Sequence, residues 1–251
     1  VDKPIATTIP DARAMIDACR KGGVKLAIGA SSRRLRGHRL CKKLVADGLL
    51  GTVALVETNY SKESGLNYTP DNWQYFKDGS PGGPLMQVAI HQIDNLYYLF
   101  GPVKRVSAEF RKIMSKSENP DVCVLWLEFE SGLLGTLGTS FITPGIGRER
   151  HAYFINAYGD QGSFHHDRWT GTEVWRKGAQ DAERIDYEEL KGFDYLGEEL
   201  RDFAASIAED RSPEVDGEAG MQVLAVVLAA IRSAELKRPV ELKEILNAKG
   251  C

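Results

Sequence analysis

The sequence has few cysteines and no long apolar run. Its 251 residues include four cysteines, Cys19, Cys41, Cys123 and Cys251, and no two of them form a Cys-x-x-Cys pair. This spacing argues against a zinc site or a redox motif and fits a reducing compartment. The longest apolar stretch, Val223 to Ile231, is far shorter than the roughly 20 residues that span a bilayer, so it predicts a core helix.

The chain also lacks a strong excess of charge of either sign. Its formal net charge is −3, and no block of lysine and arginine interrupts the sequence. These features argue against a nucleic acid or a membrane as a partner and are typical of an ordinary globular protein. No signal-peptide pattern opens the chain, so we expect a cytoplasmic location, with export left open because the beginning looks missing.

A third absence concerns the spacing of glycine. The Gly-x-Gly-x-x-Gly loop that holds the phosphates of a dinucleotide opens a helix, and no segment here fits that pattern. The segment Gly145-Ile-Gly147 leads into Arg-Glu-Arg, which indicates a turn, and Gly132, Gly135 and Gly138 fall in a strand pattern. We therefore expect no cofactor to be bound by this chain alone.

The first thirty residues predict a strand end, a helix and a strand. Pro10 suits the first turn of a helix that is capped by Thr8 or Ile9 and stopped at Gly22. Residues Val24–Ile28 follow as a short buried strand. A parallel strand needs a neighbour, so this unit predicts the tail of an α/β domain whose opening strand precedes the chain.

The remaining residues, 31–251, predict a second domain of the α+β class, after a remnant over residues 1–30. Strand and turn signals alternate from Val103 to about Trp175, and two amphipathic helices close the chain. The predicted elements are helices over His38–Asp47 and Leu85–Phe100, strands over Thr52–Tyr60, Val103–Ile113, Val122–Phe129, Leu133–Phe141 and Ala152–Ala157, and a long loop over Ser61–Pro81. The fold class is thus α/β and α+β, with a large, mainly antiparallel open sheet and helices on one face.

The predicted sheet has two apolar faces in the segment 122–129, whereas helices are predicted for only one face. A large exposed apolar patch is unusual for a monomer. We therefore expect a homodimer or a homotetramer that packs through the sheet, with Trp126 facing a partner.

The helix after Gly82-Gly83 carries a polar stripe. Gln87, His91 and Asp94 fall at i, i+4 and i+7, beside the apolar side of the helix. A helix at the edge of a cleft would need such an arrangement, but the spacing alone favours a solvated face with a chance histidine. Lys3, near the start of the chain, taken alone indicates only a solvated charge.

The other histidines have no spacing that is typical of a metal site. The run His165-His166-Asp167 could ligate a metal, but a surface turn is the favoured interpretation. We therefore predict no metal.

Several short motifs, in order, resemble those of the Gfo/Idh/MocA oxidoreductases, the family of glucose–fructose oxidoreductase and inositol dehydrogenase. The start of the chain resembles the family's Glu-Lys-Pro segment, with Asp2 in place of Glu. The similarity covers essentially the whole chain, and each motif alone is weak, whereas the ordered set is fairly specific. The further motifs are Ser31-Ser-Arg-Arg34, Trp73, Gly82-Gly83, His91-Gln-Ile-Asp94, Ala157-Tyr-Gly-Asp-Gln-Gly-Ser163 and Gly217-Glu-Ala-Gly220.

The resemblance implies an N-terminal Rossmann domain that binds NAD or NADP and a C-terminal sheet that forms the pocket for a polyhydroxy substrate. In such enzymes the motif lysine, here Lys3, contacts the substrate hydroxyl near the nicotinamide, with Pro4 beside the cofactor. The motif histidine, here His91, acts as general base or acid, and Asp94 joins this catalytic set. The further candidates for substrate binding are Arg34, Trp73 and Gln87.

One departure from the family pattern concerns the catalytic histidine. Many members have an aspartate four residues before it, where this chain has Gln87. Glutamine cannot stabilise an imidazolium by charge, and Asp94 could substitute for it only in part.

The leading hypothesis is a fragment of an NAD(P)-dependent dehydrogenase that acts on a sugar, a cyclitol or a related polyhydroxy compound. One alternative is a non-catalytic dimerisation or ligand-binding domain that has lost the cofactor half. Another is a family member that uses NAD for transient oxidation during glycoside cleavage.

Overall fold

A computed structural model describes residues 1–145, 151–185 and 194–248. The helices are α1 (Ile9–Lys21), α2 (Arg36–Ala46), α3 (Ile90–Phe100), α4 (Tyr195–Ala208), α5 (Gly217–Leu236) and α6 (Leu242–Leu246). The strands are β1 (Val53–Ser61), β2 (Val103–Arg111), β3 (Val122–Phe129), β4 (Leu134–Ser140), β5 (Ala152–Gly159), β6 (Gly162–Asp167), β7 (Gly171–Arg176), β8 (Glu183–Ile185) and β9 (Val240–Glu241). A π-helical turn, Leu85–Ala89, precedes α3, and a 3₁₀ turn, Ser31–Arg34, precedes α2.

The described strands form one sheet in the order β8-β7-β6-β5-β1-β4-β3-β2-β9. Each pair of neighbours is antiparallel except β1 and β4, which run parallel, with Val56 opposite Gly135. A side chain at Gly135 would come within 2.8 Å of the Val56 side chain, so glycine allows the two strands to approach. The prediction of a large, mainly antiparallel sheet is confirmed.

Helices cover one face of this sheet. Leu125 and Leu127 in β3 are buried against them, whereas Trp126, between the two, is 53% exposed on the opposite face. Helix α5 packs across β2, and its middle turns are buried. By length and composition alone α5 could cross a membrane, but most of it lies inside the protein, as predicted for the core helix at Val223–Ile231.

The first helix begins and ends where its sequence signals predict. The Thr8 hydroxyl accepts a hydrogen bond from the Asp11 amide at 3.2 Å, Pro10 lies in the first turn, and Gly22 is the C-cap. Its buried residues, Ala12 among them, belong to the same apolar core as α5 and the sheet. The N-terminal residues therefore pack onto the body of the molecule.

The strand predicted over Val24–Ile28 is wrong. The structure has only two isolated bridges there, one parallel between Asp2 and Gly29 and one antiparallel between Ala27 and Asp216. Val24 is 59% exposed. No described segment runs alongside these residues for more than one position, so a hydrogen-bonded ladder does not form.

The surface turn predicted at His165-His166-Asp167 is also wrong. These residues end β6, and the His166 side chain is buried. The turn begins at Arg168, directly after the strand. The Asp167 carboxylate stabilises it by accepting hydrogen bonds from the amides of Trp169 and Thr170 at 2.9 Å. Most of the turn predicted at Gly145-Ile-Gly147 lies outside the described residues.

A buried ion pair attaches the 3₁₀ turn Ser31–Arg34 to α3. Arg33 donates from Nε and Nη2 to the two carboxylate oxygens of Asp94, at 2.7 and 2.6 Å. Both side chains are almost fully buried. In the same place the Ser32 hydroxyl donates to the Asn95 side-chain oxygen at 3.3 Å. These contacts fix the turn beside the helix that carries His91.

Two buried histidines lie beneath this turn. His38 stacks on Tyr153 with 5.5 Å between ring centres, and it meets His166 edge-on at 5.2 Å. The His38 Nδ1 lies 2.6 Å from the Ser32 carbonyl oxygen, so Nδ1 carries the proton and donates it. Burial lowers the pKa of His38 to about 4 and holds the pKa of His166 well below its usual range. Both rings are therefore neutral in the folded protein near neutral pH.

Replacing Leu224 by alanine should lower the free energy of unfolding by about 2–5 kcal/mol, because it opens a cavity between α5 and the sheet. The control is the same substitution at Leu236, in the same helix but 38% exposed, which should cost less than about 1 kcal/mol. Urea denaturation measures both values. Equal losses would contradict the packing of α5 described above.

Acidification should destabilise the protein through His38. An unfolded histidine has a pKa near 6.5, whereas the folded value is about 4. Between these values only the unfolded chain binds the proton, so the free energy of unfolding falls as the pH falls. His38 alone should account for a loss of about 2 kcal/mol between roughly pH 7 and pH 5.

The measurement is urea denaturation of the wild-type protein and the His38→Gln variant at several pH values. The variant should show a shallower dependence on pH, whatever its absolute stability. The same substitution at His165, on the other face of β6, controls for the general effect of removing a histidine. An unchanged slope in His38→Gln would rule out this contribution.

Candidate active site

The site is built around a distortion at the start of a helix. Two glycines with positive φ, Gly82 and Gly83, turn the chain into Leu85–Ala89, and a side chain at Gly83 would collide with the Pro120 carbonyl oxygen. Residues 85–89 are π-helical, so side chains four positions apart no longer align as in an α-helix. Gln87 and His91 therefore do not form the common stripe that the sequence predicts.

His91 lines a cavity of about 150 Å³ at the junction of the sheet, the 3₁₀ turn and α4. Tyr60 comes from the end of β1, Tyr153 from β5, Arg168 from the turn after β6 and Tyr195 from the start of α4. The complete lining is Ser31, Ser32, Leu35, Tyr60, His91, Tyr153, Arg168 and Tyr195. Hydroxyl groups predominate in it, and they can donate and accept hydrogen bonds with a hydroxylated ligand.

The His91 ring is available to a ligand. Within the described residues neither ring nitrogen makes a hydrogen bond, and the nearest aromatic ring is Tyr60, at 6.4 Å between centres. Burial first, and then the positive charges of Lys3, Arg168 and Lys62, lower the pKa of His91 to about 3. The imidazole is therefore neutral near neutral pH, and its unprotonated ring nitrogen can accept a hydrogen bond from a ligand hydroxyl.

Lys3 lies next to this histidine. Its ammonium donates to the main-chain carbonyl of Gln87 in the π-helical turn, and burial lowers its pKa. Lys3, Pro4, His91 and Asp94 all line a smaller cavity of about 20 Å³. The structure thus brings the lysine and proline of the first motif to the histidine of the helix.

Asp94 does not replace the aspartate that many family members have at the position of Gln87. Both of its carboxylate oxygens accept hydrogen bonds from Arg33. A carboxylate that is engaged in this way supports the 3₁₀ turn instead of the His91 imidazole. The assignment of Asp94 to proton transfer has no geometric support here.

Gln87 is directed away from the main cavity. Its side-chain oxygen accepts from the Tyr68 hydroxyl at 3.0 Å, and its amide nitrogen donates to the Ser80 hydroxyl at 2.7 Å. The side chain thus fastens the loop 61–81 to the π-helical turn. It is absent from the lining of the cavity that His91 shares.

Arg34 and Trp73 are not in that lining either. Arg34 forms ion pairs with Asp202 at 3.0 Å and Glu214 at 2.6 Å, which join the 3₁₀ turn to α4 and to the loop before α5. Trp73 is 61% exposed in the long loop. Their contacts with substrate stay predictions.

Four residues that line the larger of the two cavities were not among the predicted site residues. Tyr60 and Tyr153 read as ordinary strand residues, and Tyr195 as the start of a helix. Arg168 was hidden by the misassigned turn beside it. A usable signal was the alternation of β5, which places Tyr153 on the same face as Ile155 and Ala157, toward the helices.

The residues present fit one end of a nicotinamide cofactor. Lys3 and Pro4 beside His91 are the elements that the family resemblance places near the nicotinamide. The other end does not fit: α1 begins with Ile9, Pro10 and Asp11, and an acidic, glycine-free first turn cannot cradle a pyrophosphate. Among residues 1–145, 151–185 and 194–248, no three His, Cys, Asp or Glu side chains are grouped as metal ligands would be.

Comparisons with known proteins agree with this arrangement. Myo-inositol 2-dehydrogenase from Thermotoga maritima is 27% identical over 259 residues, an alignment that covers 98% of this chain and 73% of the relative. A crystallised oxidoreductase from Desulfitobacterium hafniense is 33% identical, with a TM-score of 0.86 over 98% of this chain and 73% of its own. Levoglucosan dehydrogenase in complex with NADH has the same fold, with a TM-score of 0.84 at 22% identity, over 96% of this chain and 72% of its own.

The family profile extends these pairwise similarities over most of the sequence. The profile described as the oxidoreductase family, C-terminal alpha/beta domain, matches residues 42–242, which contain the sheet, α3 and α5. The chain therefore belongs to the Gfo/Idh/MocA family of oxidoreductases.

Proposed function

We propose that this chain forms the substrate-binding part of an NAD(P)-dependent dehydrogenase of a sugar, a cyclitol or a related polyhydroxy compound. The observation that carries the proposal is the His91 imidazole. It is neutral, makes no hydrogen bond within the described residues, and faces a cavity lined with hydroxyl groups, next to the Lys3 ammonium. The boundary between a cofactor domain and this domain at residue 30 stays a prediction.

The oxidation of an alcohol needs a base for the hydroxyl proton while a hydride leaves the carbon. The nicotinamide, when bound, accepts that hydride. His91 can take the proton, because its ring nitrogens are unoccupied. Lys3 can stabilise the negative charge that develops on the oxygen, since a buried ammonium beside the reacting group interacts strongly with an alkoxide.

The relatives support the chemistry more than the substrate. Myo-inositol 2-dehydrogenase and 1,5-anhydro-D-fructose reductase are both named for redox reactions of polyhydroxy rings. Levoglucosan dehydrogenase was crystallised with NADH and, separately, with NADH and L-sorbose. The cavity fits such a ligand because its wall presents hydroxyl groups. The relatives do not decide between NAD and NADP, so the activity assay uses both cofactors.

Replacing His91 by glutamine should lower kcat/KM for polyol oxidation by about 100-fold or more, because the base is lost while a polar side chain is kept. The assay follows reduced nicotinamide in the protein of natural length, with NAD and NADP and a panel that includes myo-inositol. The control is His165→Gln on the outer face of β6, which should leave the rate within about threefold. A His91→Gln enzyme as fast as the wild type would contradict the assignment.

We also propose that the uncovered face of the sheet is an interface between copies of this chain, in a homodimer or a homotetramer. The register places Leu134, Leu55 and Tyr158 side by side across β4, β1 and β5. All three are more than a third exposed, as is Trp126 on the neighbouring strand. An apolar patch of this extent is unusual on a monomer.

Replacing Trp126 by glutamate should dissociate the oligomer, because a charge would be buried without a partner at the centre of the interface. Light scattering should give the mass of a single chain, and circular dichroism should be unchanged. The matched control is Trp73→Glu, since Trp73 is similarly exposed but lies in the loop. A wild-type monomer, or an unchanged mass for Trp126→Glu, would place any interface elsewhere.

A further inference from the structure

Arg168 is a cation in the wall of the cavity, and no carboxylate of the described residues pairs with it. Its guanidinium carbon lies 5.4 Å from the ring centre of Tyr153 and 4.9 Å from that of Trp169. Among the residues that the structure describes, its side chain donates no hydrogen bond and forms no ion pair, and its Nε is buried without an acceptor. Within the described residues, the interactions of this charge are those with the two aromatic rings.

The neighbouring arginines differ from Arg168 in this respect. Arg33 is bound by both oxygens of Asp94, and Arg34 is held by Asp202 and Glu214. Arg168 is only half-buried, but its Nε is fully buried, and a buried polar group without a partner raises the free energy of the folded state. At the wall of an open cavity, the missing anion can come from a ligand.

The charges around the cavity favour an anion. The lining residues include no aspartate or glutamate, and Arg168 is the one charged residue among them apart from the titratable rings. The charges that lower the pKa of His91 near neutral pH are those of Lys3, Arg168 and Lys62.

We infer that the substrate carries a carboxylate, which Arg168 binds, while His91 receives the proton of the reacting hydroxyl. The inference rests on the proposed function and narrows its substrate to hydroxy acids or sugar acids. The planar guanidinium can donate two parallel hydrogen bonds to a carboxylate. Arg168 is the one guanidinium in the lining of this cavity, so the lining offers one such pair of hydrogen bonds.

The test uses matched pairs of probes that differ in the acid group: D-glucuronate and D-glucose, D-galacturonate and D-galactose, D-gluconate and D-glucitol. In the protein of natural length, at least one acid should have a kcat/KM about 10- to 100-fold above that of its neutral partner. Arg168→Gln should bring the ratio of kcat/KM for the acid to kcat/KM for its neutral partner close to one, whatever the absolute rate. Arg168→Lys should keep part of the preference for the acid, because lysine supplies the positive charge but not the planar pair of N–H donors.

A surface control is Arg232→Gln, since Arg232 is exposed on α5 and pairs with Glu235. It should keep the preference of the wild type. Preference for the neutral sugar in every pair, or for the phosphate ester of glucose over glucuronate, would overturn the inference. So would an equal loss for acid and neutral probes in Arg168→Gln.

Calorimetry with the same probes separates this inference from the proposed function. If no probe reduces NAD or NADP, the proposed dehydrogenase activity fails. Acid probes that bind the wild-type protein about tenfold or more tightly than their neutral partners, and lose that advantage in Arg168→Gln, would still support the carboxylate site. Equal binding of acid and neutral probes would reject it.

Discussion

The geometry of the site depends on the ion pair between Arg33 and Asp94. A buried pair of charges gains little stability compared with apolar packing, but losing one partner is costly, so the pair fixes one arrangement. Here it holds the 3₁₀ turn Ser31–Arg34 against α3. The turn supplies Ser31 and Ser32 to one wall of the cavity, and the helix supplies His91. The ion pair thereby fixes the relative position of two cavity walls that are distant in sequence.

The ion pair also changes the electrostatics of the histidine. Because Asp94 is neutralised by Arg33, it contributes no compensating charge to the His91 imidazole, and the surrounding cations act on that ring unopposed. The result is a neutral base in a positive cavity. A ligand anion in this cavity would favour protonation of His91, so binding of such a ligand and proton uptake are coupled. The glutamine at position 87 is consistent with a site whose negative charge is supplied by the ligand.

Most of the fold could be predicted from the sequence, because it follows from local signals. The cap at Thr8, the stop at Gly22 and the alternation of β3 each specify their element without distant partners. The strand assigned to Val24–Ile28 failed because strand formation needs a neighbour, which no local pattern reveals. His166 was placed on the surface for the same reason, since its burial depends on α2 and β5.

The site was predicted in part. Lys3 and His91 were brought together as the resemblance implied, but the π-helical turn rotated Gln87 out of the expected stripe. Arg34 was predicted to bind substrate, but both Arg33 and Arg34 are held in ion pairs, because sequence does not show which carboxylates lie near them in the fold. Arg168 could not be found from sequence, since its significance is the lack of a partner in three dimensions.

The parallel pairing of β1 with β4 has a consequence for assembly of the fold. The strands β2, β3 and β4 are consecutive in sequence and in the sheet, and so are β5, β6, β7 and β8. Among the described strands, β1 alone joins these two groups, although it precedes both in the chain. Its residue Leu55 pairs with Leu134 of β4 on one side and with Tyr158 of β5 on the other. Contacts between such distant residues form slowly, because a long loop must close first. Each half of the sheet can therefore form from local contacts, but the cavity, which needs both Tyr60 and Tyr153, is completed only when β1 pairs with β5.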